Sequence, residues 1–247
     1  MRKVCAGFSI LIFTATLLGG IFLPEIGFAV SREEAKAILG ENIIEPEQVI
    51  NILAGKRVFV SLSPEEKEKF GRVPFSEEAL RKAAIEDWYG MKGILWWAPP
   101  ERYKITILEL RLIFGTNSER QPFFEDTPSQ EWWLGESFAK EVLKGGWHLT
   151  TLGMPQFTFD KARGTQAGML AGDEKLLSQI ETVYLMLVYT SLHPLQNIIW
   201  SGWTTAGQPA LSGESVVIKH YGRAGVYFKE HSRPGFNIGA LIGRKPE

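Results

Sequence analysis

Cysteine is almost missing from this 247-residue chain: there is one, at position 5. A single thiol closes no internal disulfide, and a thiolate zinc site or an Fe–S cluster lacks its ligands. Histidine is scarce as well. The chain has His148, His193, His220 and His231, and no two of them sit one helical turn apart, as a local zinc motif requires. Neither sign of charge is in excess: 27 basic and 28 acidic side chains leave a formal net charge of −1, which removes the electrostatic basis for binding nucleic acid. There is no G-x-S-x-G elbow, H-E-x-x-H motif, Walker-type phosphate loop or EF-hand loop. No metal site, cofactor or nucleic-acid partner is therefore expected, and the reading leans away from an enzyme. What the chain does have is core material. It is 45% hydrophobic and 22% charged and carries eight tryptophans, which excludes disorder and collagen-like repeats. The length suits one sizeable domain or two small ones.

The one long hydrophobic run is at the start. Arg2 and Lys3 precede an uncharged stretch from Val4 to Pro24, and Gly27-Phe28-Ala29 supplies the small-x-small pattern of a signal-peptidase site. Residues 1–29 read as a signal peptide cleaved after Ala29, or as an uncleaved N-terminal anchor, since about 20 apolar residues span a bilayer. Both readings export the rest of the chain to the periplasm, the cell surface or the medium. Contact with a membrane is expected only through this segment, if it is retained. Cys5 precedes the apolar run and so does not match a lipoprotein cysteine. Without the leader, 218 residues remain, with 25 basic and 27 acidic side chains and no cysteine. An exported fold of this kind relies on burial for its stability.

Residues 30–72 read as a helical N-terminal extension. Ser31-Arg32-Glu33-Glu34 is a capping box, Gly40 ends that helix, Pro46 opens a second and Ser63-Pro64-Glu65-Glu66 starts a third. Residues 73–247 read as a single α+β domain. Ser76 caps a helix expected to reach about Tyr89, Ile94–Trp97 fits a buried strand, and the Thr106/Glu109 spacing makes Ile107–Phe114 a helix. Ser137–Lys144 reads as a short helix and Trp147–Leu152 as an edge strand. The strongest periodicity lies at 173–192, where Leu176, Leu177, Ile180, Val183, Tyr184, Leu187 and Val188 recur at helical spacing. Leu185, Met186 and Tyr189 make its second half apolar nearly all round, which predicts one long, buried central helix. After Pro194 the chain turns β-rich, with runs at Ile198–Thr204, Ser215–Lys219, Gly225–Lys229 and Phe236–Ile242. A small antiparallel sheet packed on the long helix is the expected result.

Four groups of residues carry a resemblance, the first being the helix start Glu45-Pro46-Glu47-Gln48. Pro74-Phe75-Ser76-Glu77-Glu78-Ala79-Leu80, the Trp132-Trp133 pair followed by Phe138-Ala139-Lys140-Glu141 and Gly146-Trp147, and Trp200/Trp203 with the glycine-rich tail come in a characteristic order. In that order the chain resembles a family of uncharacterised exported proteins of candidate-phyla bacteria, a resemblance that implies no reaction and no site. The tail from Trp200 through Gly225-Val226-Tyr227 and Gly239 to Arg244 is similar in cadence to the last strands of C-type-lectin-like and formylglycine-generating-enzyme-like domains. The calcium-binding carboxylates of the one and the copper-binding cysteines of the other have no counterparts.

The most suggestive chemistry lies between Glu119 and Glu141. Six acidic residues (Glu119, Glu125, Asp126, Glu131, Glu136 and Glu141) alternate there with Phe123, Phe124, Trp132, Trp133 and Phe138. Aromatic faces stack on sugar C–H groups and carboxylates accept sugar hydroxyl protons, so Trp132, Trp133 and Phe124 are the candidate ligand-binding residues. Glu131 and Glu136 are the candidate catalytic carboxylates of a hydrolytic alternative, which needs two such groups across a cleft. The remaining tryptophans read as core filler. Ser137-Phe138-Ala139-Lys140 matches S-x-x-K, the nucleophile motif of penicillin-binding proteins, but lacks the second and third motifs of that chemistry. The basic tail (Lys219, Arg223, Lys229, Arg233, Arg244, Lys245) is a solvated face or a contact for anionic polymers. The expected function is an exported, envelope-associated, non-catalytic domain that binds a ligand or partner, such as cell-wall glycan or an envelope protein. The alternatives are a cell-envelope glycan or peptidoglycan hydrolase and a structural envelope protein.

Overall fold

Capping chemistry close in sequence sets the N-terminal helices. The computed structural model describes residues 29–194, 203–205, 209–221, 225–231 and 238–247. Residues 1–28, with Cys5 and most of the expected leader, lie outside the described residues, as do Trp200 and residues 222–224. A two-residue strand β1 (Val30–Ser31) leads into α1 (Arg32–Leu39), β2 (Ile43–Ile44), α2 (Pro46–Gly55), α3 (Pro64–Phe70), β3 (Arg72–Val73) and α4 (Glu77–Ala84). Ser31 and Glu34 form the reciprocal capping box, Ser63 and Glu66 a second, and Gly40 closes α1 with φ +61°. α4 stops five residues before the expected Tyr89, because Glu86 and Tyr89 adopt φ of 60° and 57°, which no right-handed helix accommodates.

The middle of the chain holds β4 (Gly93–Ala98), α5 (Ile107–Phe114), β5 (Phe123–Phe124), β6 (Gly146–Thr151), α6 (Arg163–Gly168), β7 (Glu174–Leu176) and α7 (Gln179–Leu192). The C-terminal part adds β8 (Trp203–Thr205), β9 (Ser215–Tyr221), β10 (Gly225–His231), β11 (Ile238–Gly239) and β12 (Ile242–Arg244). These strands build two five-stranded sheets, ordered β2-β4-β6-β12-β7 and β11-β8-β9-β10-β5, and β1 pairs separately with β3. The fold is α+β.

Several expectations change at this level. β6 is an interior strand, paired with β4 along its whole length and with β12 on its other side, so it is not an edge. The C-terminal sheet is antiparallel through β8, β9 and β10 but mixed overall, because β5 and β11 add parallel pairs at its flanks. The parallel pairing with β5 depends on Gly225, where a Cβ would stand 2.6 Å from Glu125 Oε1 and 2.9 Å from the Phe123 ring. The run Phe236–Ile242 is not one strand: β11 and β12 belong to different sheets. β2 joins β4 in parallel, and Leu39, Val49 and Leu53 belong to the same core cluster as Trp97 and Leu187. The N-terminal helical stretch thus contributes to the main sheet and its core. Ser137–Lys144 yields only a 3-10 turn at Phe138–Lys140.

The long helix begins later than its periodicity suggests, since Glu174–Leu176 is drawn into the sheet as β7 against β12. Ser178 then caps α7 in a box with Glu181. Every residue from Gln179 to Thr190 is buried, so α7 is the central buried helix that an all-round apolar sequence requires. It touches both sheets. Tyr184 donates its hydroxyl proton to the Trp97 carbonyl (3.2 Å) on one side, and the helix packs against β9 on the other. Burial on this scale stabilises by roughly 1.5–3 kcal/mol per large side chain. No helix among the described residues is long and apolar enough to cross a membrane.

Candidate functional site

The aromatic, acidic stretch is built into the second sheet's core. Phe124 is 0% exposed and Trp133 1%. The Trp133 ring lies 6.0 Å from Phe124 and 4.7 Å from Phe228 of β10, and Phe138 closes the cluster 5.9 Å from Phe228. Gln130 completes the arrangement by imitating a strand neighbour. Its Oε1 accepts from Phe228 N (2.8 Å) and its Nε2 donates to Phe228 O (2.9 Å). Trp132 and Trp133 open a 3-10 turn, where adjacent side chains diverge by about 120°. Trp132 is therefore only half-buried, against Phe138. Five of the six tryptophans whose side chains are described are buried, and Trp132 is the sixth.

The structure does not set Glu131 and Glu136 across a cleft. Glu131 is exposed, whereas Glu136 is buried and accepts the Leu211 backbone N–H at 2.9 Å. Ser137 precedes the 3-10 turn and Lys140 ends it, and the Lys140 ammonium donates to the Gly135 carbonyl (3.2 Å). In the basic tail, Arg244 pairs with Asp173 (3.3 Å) and lies over the Trp88 ring, while Lys245 donates to the Gly172 carbonyl (2.8 Å).

A cluster of charged side chains lies elsewhere, at the start of α7. A cavity of about 300 Å³ is lined by Glu141 and Lys144 from the segment before β6, Arg163 at the start of α6, Lys175 of β7, and Ser178 and Glu181. Glu181 is 5% exposed and has both carboxylate oxygens engaged. Oε2 accepts the Ser178 N–H (2.9 Å); Oε1 faces the Lys175 ammonium and lies 3.4 Å from His148 Nδ1. The other nitrogen of His148, Nε2, donates to the Lys144 carbonyl at 2.9 Å. Burial alone would raise the Glu181 carboxyl, but hydrogen bonds and charge from His148 and Lys175 outweigh it and hold the group at about 2. Glu141 goes the other way. Burial and then the nearby Glu181 charge push its carboxyl above the usual range, against weaker opposing effects from Lys175, Lys144 and Ser178.

Arg163 is the unsatisfied member. Its Nη1 is buried and meets no hydrogen-bond partner among the described residues, and burial lowers the affinity of the guanidinium for its proton. A guanidinium does not discharge at physiological pH, so it needs an acceptor, and an anion is the one that also matches its charge. With Lys175 committed to Glu181, the cavity presents a guanidinium with one buried nitrogen unpartnered among the described residues, the Lys144 ammonium and a carboxyl raised above its usual range. That arrangement is suited to a small anion. Among the described residues, no group of three or more His, Asp or Glu side chains is placed to hold a metal ion.

Part of this cavity is visible in the sequence. Glu141 ends the acidic stretch, and Ser178-Gln179-Ile180-Glu181 is a capping-box spacing that marks a charged helix start. Arg163 carries no local signal at all, because its solitude is a property of the folded chain. Comparison of the sequence with protein-family models and curated proteins, and of the fold with solved structures, finds no match.

Proposed function

We propose that the protein is an exported, non-catalytic binding domain of the cell envelope, and that the cavity beside α7 takes a small carboxylate-bearing ligand such as a glycan or peptide fragment of the wall. The observation that carries this reading is the half-buried Arg163, whose buried Nη1 has no hydrogen-bond partner among the described residues, in the wall of a cavity of ligand size. Leaving a buried donor nitrogen without an acceptor costs about 1–3 kcal/mol. A carboxylate matches the guanidinium fork with two parallel hydrogen bonds. Glu141, whose carboxyl is raised by burial and by the Glu181 charge, lines the same cavity and can meet a second ligand group. Export rests on the leader at residues 1–29. Calorimetric titration of the mature chain with small carboxylates, amino acids and muramyl peptides tests the proposal. A saturable isotherm that disappears in Arg163→Met supports it. Absence of binding across the panel, or binding that survives the substitution, removes it.

One observation favours a hydrolytic reading of the same cavity. Glu141 and Glu181 are displaced in opposite directions, the pattern that separates a general acid from a base. The engagement of both Glu181 oxygens ranks this reading second. Release of reducing ends from peptidoglycan by the wild type, lost in Glu141→Gln, would reverse that order.

A further inference from the structure

A second charged concavity lies where α2 and α5 end side by side. It measures about 580 Å³ and is lined by Lys56 and Arg57 at the end of α2, by Leu112, Phe114, Thr116 and Asn117, and by Arg120. Its ionisable lining is entirely cationic. Lys56, Arg57 and Arg120 form no ion pair among the described residues, so the cleft holds three positive charges without a counter-charge of its own.

Two features show that this clustering is unfavourable. Lys56 is half-buried with its ammonium 5.2 Å from the centre of the Phe114 ring, and burial together with the nearby Arg120 charge weakens its hold on its proton. Arg57 has φ +65°, the left-handed position that follows a helix and normally goes to glycine. There its N–H donates to the Ala54 carbonyl and the next N–H, of Val58, to Leu53 O, both at 2.9 Å. A non-glycine residue in that conformation costs on the order of 1–2 kcal/mol. An arginine is thus held at a strained position, beside a lysine that already repels Arg120. The two helix C-termini contribute roughly half a negative charge each, which offsets but does not cancel three full cations.

We propose that this cleft binds a phosphate group, with Lys56 as the partly desolvated central cation and Arg57 and Arg120 as flanking forks. Phosphate suits the site better than a carboxylate because its three or more oxygens can meet all three cations at once. The phosphate can come from a lipid headgroup or from a soluble phosphate ester, and the exposed Leu112 at the rim is compatible with either.

The test uses the mature chain, pyrophosphate as the soluble probe, and vesicles of phosphatidylglycerol or of phosphatidylcholine alone. Arg57 and Arg120 are both exposed, so Arg57→Ser/Arg120→Ser should fold, and an unchanged unfolding curve verifies it. The proposal predicts saturable binding that weakens at least tenfold in the double variant and falls with rising salt. Binding of pyrophosphate assigns a soluble ester. Binding only to phosphatidylglycerol vesicles, lost in the same variant, assigns a headgroup. No binding in either arm, or binding that the double variant leaves unchanged, overturns the proposal.

Discussion

Trp96 and His148 stand directly opposite each other on β4 and β6, and their rings stack with centroids 4.1 Å apart and planes 8° from parallel. The tryptophan is itself pinned by a hydrogen bond from its Nε1 to Thr150 Oγ1 (2.9 Å). The stack fixes the imidazole so that one nitrogen reaches the Lys144 carbonyl and the other faces Glu181. In this way the register of an interior strand pair positions one wall of a charged cavity at the start of a helix 30 residues further on.

The first prediction concerns acid stability. The folded-state Glu181 carboxyl is held at about 2, below its ordinary 4.5, so its ionised form stabilises the fold above about pH 4.5. That contribution is lost as the pH falls from 4.5 towards 2. Chemical denaturation across this window should show stability falling by about 2–3 kcal/mol in the wild type. In Glu181→Gln the fall should be much smaller. His148→Asn, which keeps a polar side chain but removes the ring nitrogen facing Glu181, should move the acid midpoint upward.

Glu141 should behave in the opposite sense. Its folded-state carboxyl is raised by burial and by Glu181, so the protonated form is the favoured one in the fold. The stability this provides is fully present below the unfolded value and is lost as the pH rises through the folded one. Glu141→Gln should therefore be neutral near pH 3 and stabilise the protein near pH 7. The gain should be a fraction of a kcal/mol for this half-exposed group, read as about 1–2 °C in Tm.

The aromatic residues of the acidic stretch should separate by burial. Trp133→Ala and Phe124→Ala each open a cavity in the cluster around Phe228 and should cost about 3–5 kcal/mol in urea denaturation. Trp132→Ala removes a half-buried ring and should cost about 1 kcal/mol. Equal losses at all three positions would contradict the placement of Trp132 at the margin of the core.

What could be read from the sequence was local. The capping boxes at Ser31 and Ser63, the proline start of α2 and the all-round apolar character of α7 involve residues within one or two helical turns, and each is present in the fold. The sheets were less legible because their pairings are distant and short. β5 is two residues long and gives no alternation, yet it extends a sheet whose next strand begins a hundred residues later. β11 and β12 lie in one uninterrupted apolar run, and only tertiary pairing assigns them to different sheets. The candidate aromatics were conspicuous for the wrong physical reason: Trp133 and Phe124 fill the space beneath β10, where a disulfide-free domain needs bulk. The cavity beside α7 draws its charges from positions 141 to 181, each ordinary where it stands in the chain.

The central claim is that the buried Arg163 Nη1 has no partner among the described residues because its partner is a ligand, and thermal unfolding of Arg163→Met with and without the best-binding carboxylate tests it most directly. Without ligand, removing that buried nitrogen while keeping an apolar side chain of similar length should leave Tm equal to or above that of the wild type. With ligand, the wild type should gain several degrees and the variant none. A variant that melts well below the wild type without ligand, or that keeps the ligand-induced gain, would contradict the claim.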